Sequence, residues 1–102
     1  MEKNYKFYNL DKVNDGRILV KDSGGNWMEI FLKDVSAITY IEDYPICENF
    51  TITLLKIGTE INGRYHCYHF NFCEDLPVEI CGWTCKNFEQ LDITIRNLIP
   101  VI

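Results

Sequence analysis

The residues with the most chemical potential form a cysteine–histidine group in the second half of the chain. On a strand, Cys67 and His69 point to one face, two residues apart. That spacing can present two ligands to one metal ion. Cys81 and Cys85 are the further candidate ligands, with Cys73 nearby, and zinc is the cofactor such a set would take. The three-residue gap between Cys81 and Cys85 is looser than the two-residue gap of zinc knuckles. The competing reading makes these thiols small core hydrophobes, as free cysteines commonly are. A nucleophilic thiolate would need an adjacent histidine and an orienting third group. His66 adjoins Cys67, but neighbouring strand residues face opposite sides, so only His69 with a cysteine from another strand remains. The doublets Glu42-Asp43 and Glu74-Asp75 fall at turns and read as solvated surface charge. No phosphate-binding glycine loop, G-x-S-x-G or H-E-x-x-H is present. The chain therefore reads as non-catalytic, with no catalytic residue assigned.

Composition bounds the remaining functions. The 102 residues correspond to one domain over residues 1–102, and 47% apolar content supports a core. The initiator methionine and the absence of a flanking linker read as a whole small protein. No run approaches the ~18–20 apolar residues of a membrane span, and the start lacks the apolar centre of a signal peptide. Five cysteines, an odd number, fit a reducing compartment, so the expected location is cytoplasmic. A net charge of −5 opposes direct nucleic-acid binding and is compatible with a basic protein partner. It also serves solubility.

The elements that must position these residues read mostly as strands. Residues 5–10 alternate, and residues 11–16 hold the turn signal Asn14-Asp15-Gly16. Residues 17–21 and 27–32 form a hairpin across the glycine turn at 22–26. A break at Lys33-Asp34 and a bend near Ser36 precede a strand from about 37 to 42, which residues 43–45 end. Residues 48–57 are the clearest strand, joined by a loop at 58–63 to a strand at 64–72. A last short strand covers 78–81, and residues 82–86 lead into a helix.

That helix spans residues 87–99. Phe88, Leu91, Ile95, Leu98 and Ile99 share one side of a 3.6-residue wheel, with Asp92 the single polar residue among them. Alternation and the β-branched run 93–95 favour strand instead, so the ends decide. Asn87 is a good N-cap, Gln90 sits where a capping box wants it, Arg96 suits the negative end, and Pro100 stops the run. The expected fold is α+β: an antiparallel sheet or partly open barrel of about seven strands with one C-terminal helix.

This order resembles the small bacterial pleckstrin-homology-like domains. The matching features are Trp27-Met28-Glu29-Ile30, then Asp34-Val35-Ser36-Ala37-Ile38, then the long hairpin over 50–72, then Asn87-Phe88-Glu89-Gln90-Leu91 opening the final helix. The resemblance implies a seven-stranded bent barrel capped by the helix and a role in binding proteins or, in some relatives, lipid headgroups. In lipid-binding members the loop between the first two strands is basic; here Lys12 and Arg17 are offset by Asp11 and Asp15, so no membrane role is expected. Residues 34–42 are also similar to part of LytTR-type DNA-binding domains, whose basic C-terminal segment has no counterpart here.

The aromatics point to a partner. Tyr5, Tyr8, Tyr40, Tyr44, Trp27 and Trp83 cannot all fit a core this small with their polar atoms paired, and surface Tyr and Trp favour protein contacts. Tyr40, Tyr44 and Trp83 are the contact candidates. The expected function is a non-catalytic protein-binding module, in the form of a small acidic inhibitor of a basic partner, of the immunity or phage anti-defence type. The alternative is a Cys/His metal-binding domain. An exposed strand edge, or Val101-Ile102, offers a route to a homodimer.

Overall fold

The computed structural model describes residues 5–10, 15–22 and 24–99. The expected turn residues 11–14, the start of the chain, the Pro100 stop and the tail Val101-Ile102 lie outside the described residues. Among the described residues, eight strands and one helix follow in chain order: β1 (Tyr5–Asn9), β2 (Arg17–Lys21), β3 (Trp27–Phe31), β4 (Val35–Cys47), β5 (Phe50–Ile61), β6 (Arg64–Asn71), β7 (Val78–Ile80), β8 (Trp83–Cys85) and α1 (Phe88–Leu98). A 3-10 turn over Leu32–Asp34 joins β3 to β4. The strands divide between two antiparallel sheets. Sheet A has the order β1-β4-β5-β6 and sheet B the order β3-β2-β7-β8. The β-rich architecture with a C-terminal helix matches the expectation, with eight strands in place of about seven.

One core joins the sheets. Tyr8, Ile38, Tyr40, Leu55, Ile57 and Phe70 come from sheet A, and Ile18, Val20, Ile30, Val78, Ile80 and Cys85 from sheet B. Leu91 and Ile95 of α1 complete it, with Phe88, Leu98 and Ile99 packed at its margin, so the amphipathic stripe is the buried face. The helix begins as its first residues dictate. The Asn87 side chain accepts from the Gln90 N–H at 2.9 Å. Gln90 reaches back to the N–H of Lys86 at 2.8 Å, one residue before the position a capping box uses. Tertiary burial outweighs the strand preference of Ile93 to Ile95.

Sheet A differs from the expectation at both ends of its central hairpin. Residues 43–45 do not end a strand: β4 runs on to Cys47, with a register shift after Ile41 where Asp43 takes φ 54°. Among the described residues β1 pairs with β4 no further than Ile41, so no described strand needs the missing N–H of Pro45 on that side. At the other end β5 passes through the expected loop to Ile61, and the turn is only Asn62-Gly63. Both residues have positive φ, the geometry that matches the twist of a two-residue hairpin. Gly58 is not a breaker but a close approach: a Cβ there would lie 2.4 Å from the Tyr65 hydroxyl, whose ring crosses it. The bend at Ser36 is present as a shift between Val35 and Ala37, and the Ser36 hydroxyl donates to the Gly58 carbonyl at 3.3 Å.

β8 is the one strand without a counterpart in the sequence reading. It arises because Cys81 and Gly82 both adopt positive φ and fold Trp83–Cys85 back on β7. Cys81 is a poor advertisement for such a turn, which is why residues 82–86 read as a lead into the helix.

Candidate functional site

The four proposed metal ligands are split between the sheets. Cys67 and His69 do share a face of β6, as their spacing requires, but Cys85 sits on β8 in sheet B. Cys85 is fully buried; its thiol lies 3.5 Å from the Thr94 hydroxyl and 3.8 Å from the Trp83 carbonyl. Burial pushes the Cys85 thiol up, opposed by the Thr94 hydrogen bond. Cys81 is exposed at the β7–β8 turn, and a Cβ added to Gly16 would meet its sulfur at 2.6 Å. Among the described residues no three His, Cys, Asp or Glu side chains converge to hold a metal ion. All five thiols are free.

The three contact candidates also part company. Tyr40 is 4% exposed and cannot present a contact surface, which corrects that expectation. Its ring packs between Phe88 at 4.7 Å and Phe72 at 6.1 Å. Burial and the neighbouring Glu42 carboxylate hold its hydroxyl protonated, pushed up to about 12. Tyr8 is buried likewise, its hydroxyl paired with Asp92. Tyr44 is partly exposed on the outer part of the β4–β5 hairpin. Trp83, 71% exposed, is on sheet B beside Ile93, Asn97 and Leu98 of α1.

The larger feature is the outer face of sheet A. Strand pairing fixes its rows. Tyr5 stands beside Ile41 and Leu54; Phe7 stands beside Thr39, Lys56 and His69. The next row is Asn9, Ala37, Gly58 and Cys67, with Tyr65 lying across Gly58. Toward the hairpin tip the same face continues as Tyr44 with Ile52, then Cys47 with Phe50. Tyr5, Phe7 and Phe50 are 63%, 56% and 55% exposed, and Ile46 of the tip is also exposed. Exposed apolar groups clustered in this way mark interaction sites, whereas scattered ones are ordinary.

Sheet B handles its exposed rings differently. The Lys21 ammonium lies 5.1 Å from the Trp27 ring centre, and Lys33 lies 5.8 Å from that of Phe31. Arg17 and Glu29 pair at 2.7 Å on the same face. Among the described residues no lysine or arginine covers a ring on the outer face of sheet A. Carboxylates lie toward its tip instead: Glu42, Asp43 and Glu48, with no basic residue between Lys33 and Lys56.

Of the exposed rings on this face, Tyr5 was among the aromatics weighed from the sequence without being singled out, and Phe7 and Phe50 were not weighed. Alternation places Tyr5 and Phe7 on one side of β1 and Tyr8 on the other, but it does not say which side is covered. The chain matches no protein-family model, and neither a curated protein nor a solved structure matches it. Among the described residues no helix is long and apolar enough to cross a membrane.

Proposed function

We propose that this chain is a non-catalytic protein-binding module whose contact surface is the outer face of sheet A, and that its partner is a protein with a basic surface. The observation that carries the reading is the uncapped row of Tyr5, Phe7, Tyr44 and Phe50 running out to an acidic hairpin tip. The size is appropriate. With β5 twelve residues long and the described strands narrowing from four to two toward the tip, the planar footprint of the described sheet is roughly 600 Å². One side of a specific interface buries ~600–1,000 Å². Apolar rings supply the desolvated centre, and Asp43 and Glu48 supply the rim charge that selects a cationic partner.

An acidic module of this kind suits an inhibitor that covers a basic surface, of the immunity or anti-defence type. Kinship with pleckstrin-homology-like domains is part of the same proposal. It is supported by the order of many strands followed by a closing helix that packs beside β8. The reading is tested by comparing the wild-type chain with Phe7→Ser/Phe50→Ser as baits. A basic protein retained by the wild type, released by salt and lost in the double variant is the expected result. Equal retention by both baits would remove sheet A as the contact face.

A further inference from the structure

The β5–β6 hairpin overhangs the core, and its inner face forms a hollow of about 580 Å³. Strand pairing places Ile61 opposite Arg64 and Thr59 opposite His66, with Tyr68 next along β6. These residues belong to the inner face because they alternate with the outward Tyr65, Cys67 and His69, in line with buried Ile57 and Phe70. Asn62 closes the end of the hollow. On a chain of net charge −5, its lining contains a guanidinium and an imidazole and no carboxylate. The nearest acid in sequence, Glu60, lies opposite Tyr65 and so belongs to the outer face. Among the described residues, Arg64 has no carboxylate within ion-pair distance.

The imidazole is held in place. The His66 ring meets the Tyr68 ring edge-on at 4.2 Å, and Tyr68 stacks along Phe70 at 6.3 Å. The Thr59 hydroxyl donates to the His66 carbonyl at 3.1 Å, fixing the strand from which the imidazole projects. Arg64 presents a planar fork of N–H donors, His66 a ring N–H and Tyr68 a phenol O–H. Arg64, His66 and Tyr68 alternate along one face of β6 and line the one hollow, so three kinds of donor are available there, a better match to the three terminal oxygens of a phosphate monoester than to the two of a carboxylate.

We propose that this hollow binds the phosphate group of a small soluble phosphate monoester, with Arg64, His66 and Tyr68 as its donors, the Tyr68 ring also orienting the imidazole. The site is separate from the outer face of sheet A.

The test uses inorganic phosphate as the probe, titrated into the isotope-labelled full chain at constant ionic strength and followed by amide and imidazole NMR shifts. Saturable shifts confined to residues 59–68 are expected. They should weaken about tenfold in Arg64→Ala, the loss expected for a charge-assisted pair, and also weaken in His66→Ala, both variants melting like the wild type. Shifts that never saturate, or that chloride reproduces, would mean an adventitious ion only and overturn the proposal. So would saturable binding that both variants retain. Vesicles of phosphatidylcholine with phosphatidic acid form the last arm: response to these without response to free phosphate would assign the hollow to a membrane surface and overturn the soluble ligand.

Discussion

The Tyr8 hydroxyl donates a 2.5 Å hydrogen bond to Asp92 Oδ1, joining β1 of sheet A to the C-terminal helix across 84 residues of sequence. Asp92 is the one polar residue on the helix's apolar side, and this contact is what makes it acceptable there. Its other oxygen lies 3.5 Å from Arg96, one helical turn on. Tyr8→Phe leaves a half-buried carboxylate without its shortest partner and should destabilise the fold by about 1–3 kcal/mol. Asp92→Asn keeps the shape and should cost less. Urea unfolding of the two variants measures both, and a Tyr8→Phe midpoint equal to that of the wild type would show that the bond contributes nothing net.

The same hydroxyl makes stability fall at high pH. Burial first, then the hydrogen bond to Asp92, raise Tyr8 well above its ordinary value of 10.0. Tyr40 is pushed up to about 12, by burial first and then by Glu42. The unfolded chain therefore releases these protons before the folded chain does. The stabilisation is intact below pH ~10 and is lost as pH rises through the folded values. Urea midpoints should decline steadily above pH ~10, and Tyr8→Phe and Tyr40→Phe should each flatten that decline. A wild-type midpoint that does not move over this range would contradict the assignment.

Cysteine reactivity should divide by burial. Cys47, Cys73 and Cys81 are exposed, while Cys85 is buried and its thiol is pushed up, away from the reactive thiolate. Brief alkylation of the native protein, followed by peptide mass spectrometry, should label those three and leave Cys85 unmodified until the chain is unfolded. Early labelling of Cys85 would mean that the β8–α1 packing opens easily.

The Asn62-Gly63 turn carries a further expectation. Gly63 has φ 78° and Asn62 φ 53°, conformations in which a Cβ is disfavoured. Gly63→Ala should cost about 1 kcal/mol, read as a lower thermal midpoint, although nothing lies within 4 Å of the added methyl. Gly58→Ala acts differently. The atom it meets is the tip of an exposed tyrosine, so the ring swings away at little cost to stability. Tyrosine fluorescence and hydrogen exchange near Tyr65 should change while the midpoint does not.

Much of the backbone was legible because its signals are local. The Asn87 cap acts on an N–H three residues away, and the hairpin at 17–31 follows from glycines at its turn. The misreadings at Pro45, Gly58 and Cys81 share a cause. Proline and glycine normally interrupt a strand and cysteine normally does not form a turn; each exception rests on its surroundings or an unusual backbone: no strand pairing with β4 beyond Ile41 on that side among the described residues, the Tyr65 ring over Gly58, and the positive φ of Cys81.

The sequence alone determined which residues alternate and where the chain can cap or turn, since those choices depend on a few adjacent side chains. Only the tertiary structure decided which side of the alternation is covered. Both faces of sheet A carry large apolar groups, Tyr8 and Tyr40 on one and Tyr5, Phe7 and Phe50 on the other. Sheet B and α1 occupy the first face and bury it. No other element among the described residues packs on the second, and Cys67 and His69 stay on it, a sheet away from Cys81 and Cys85. A period of two carries no label for inside, and that label comes from the partner that packs there.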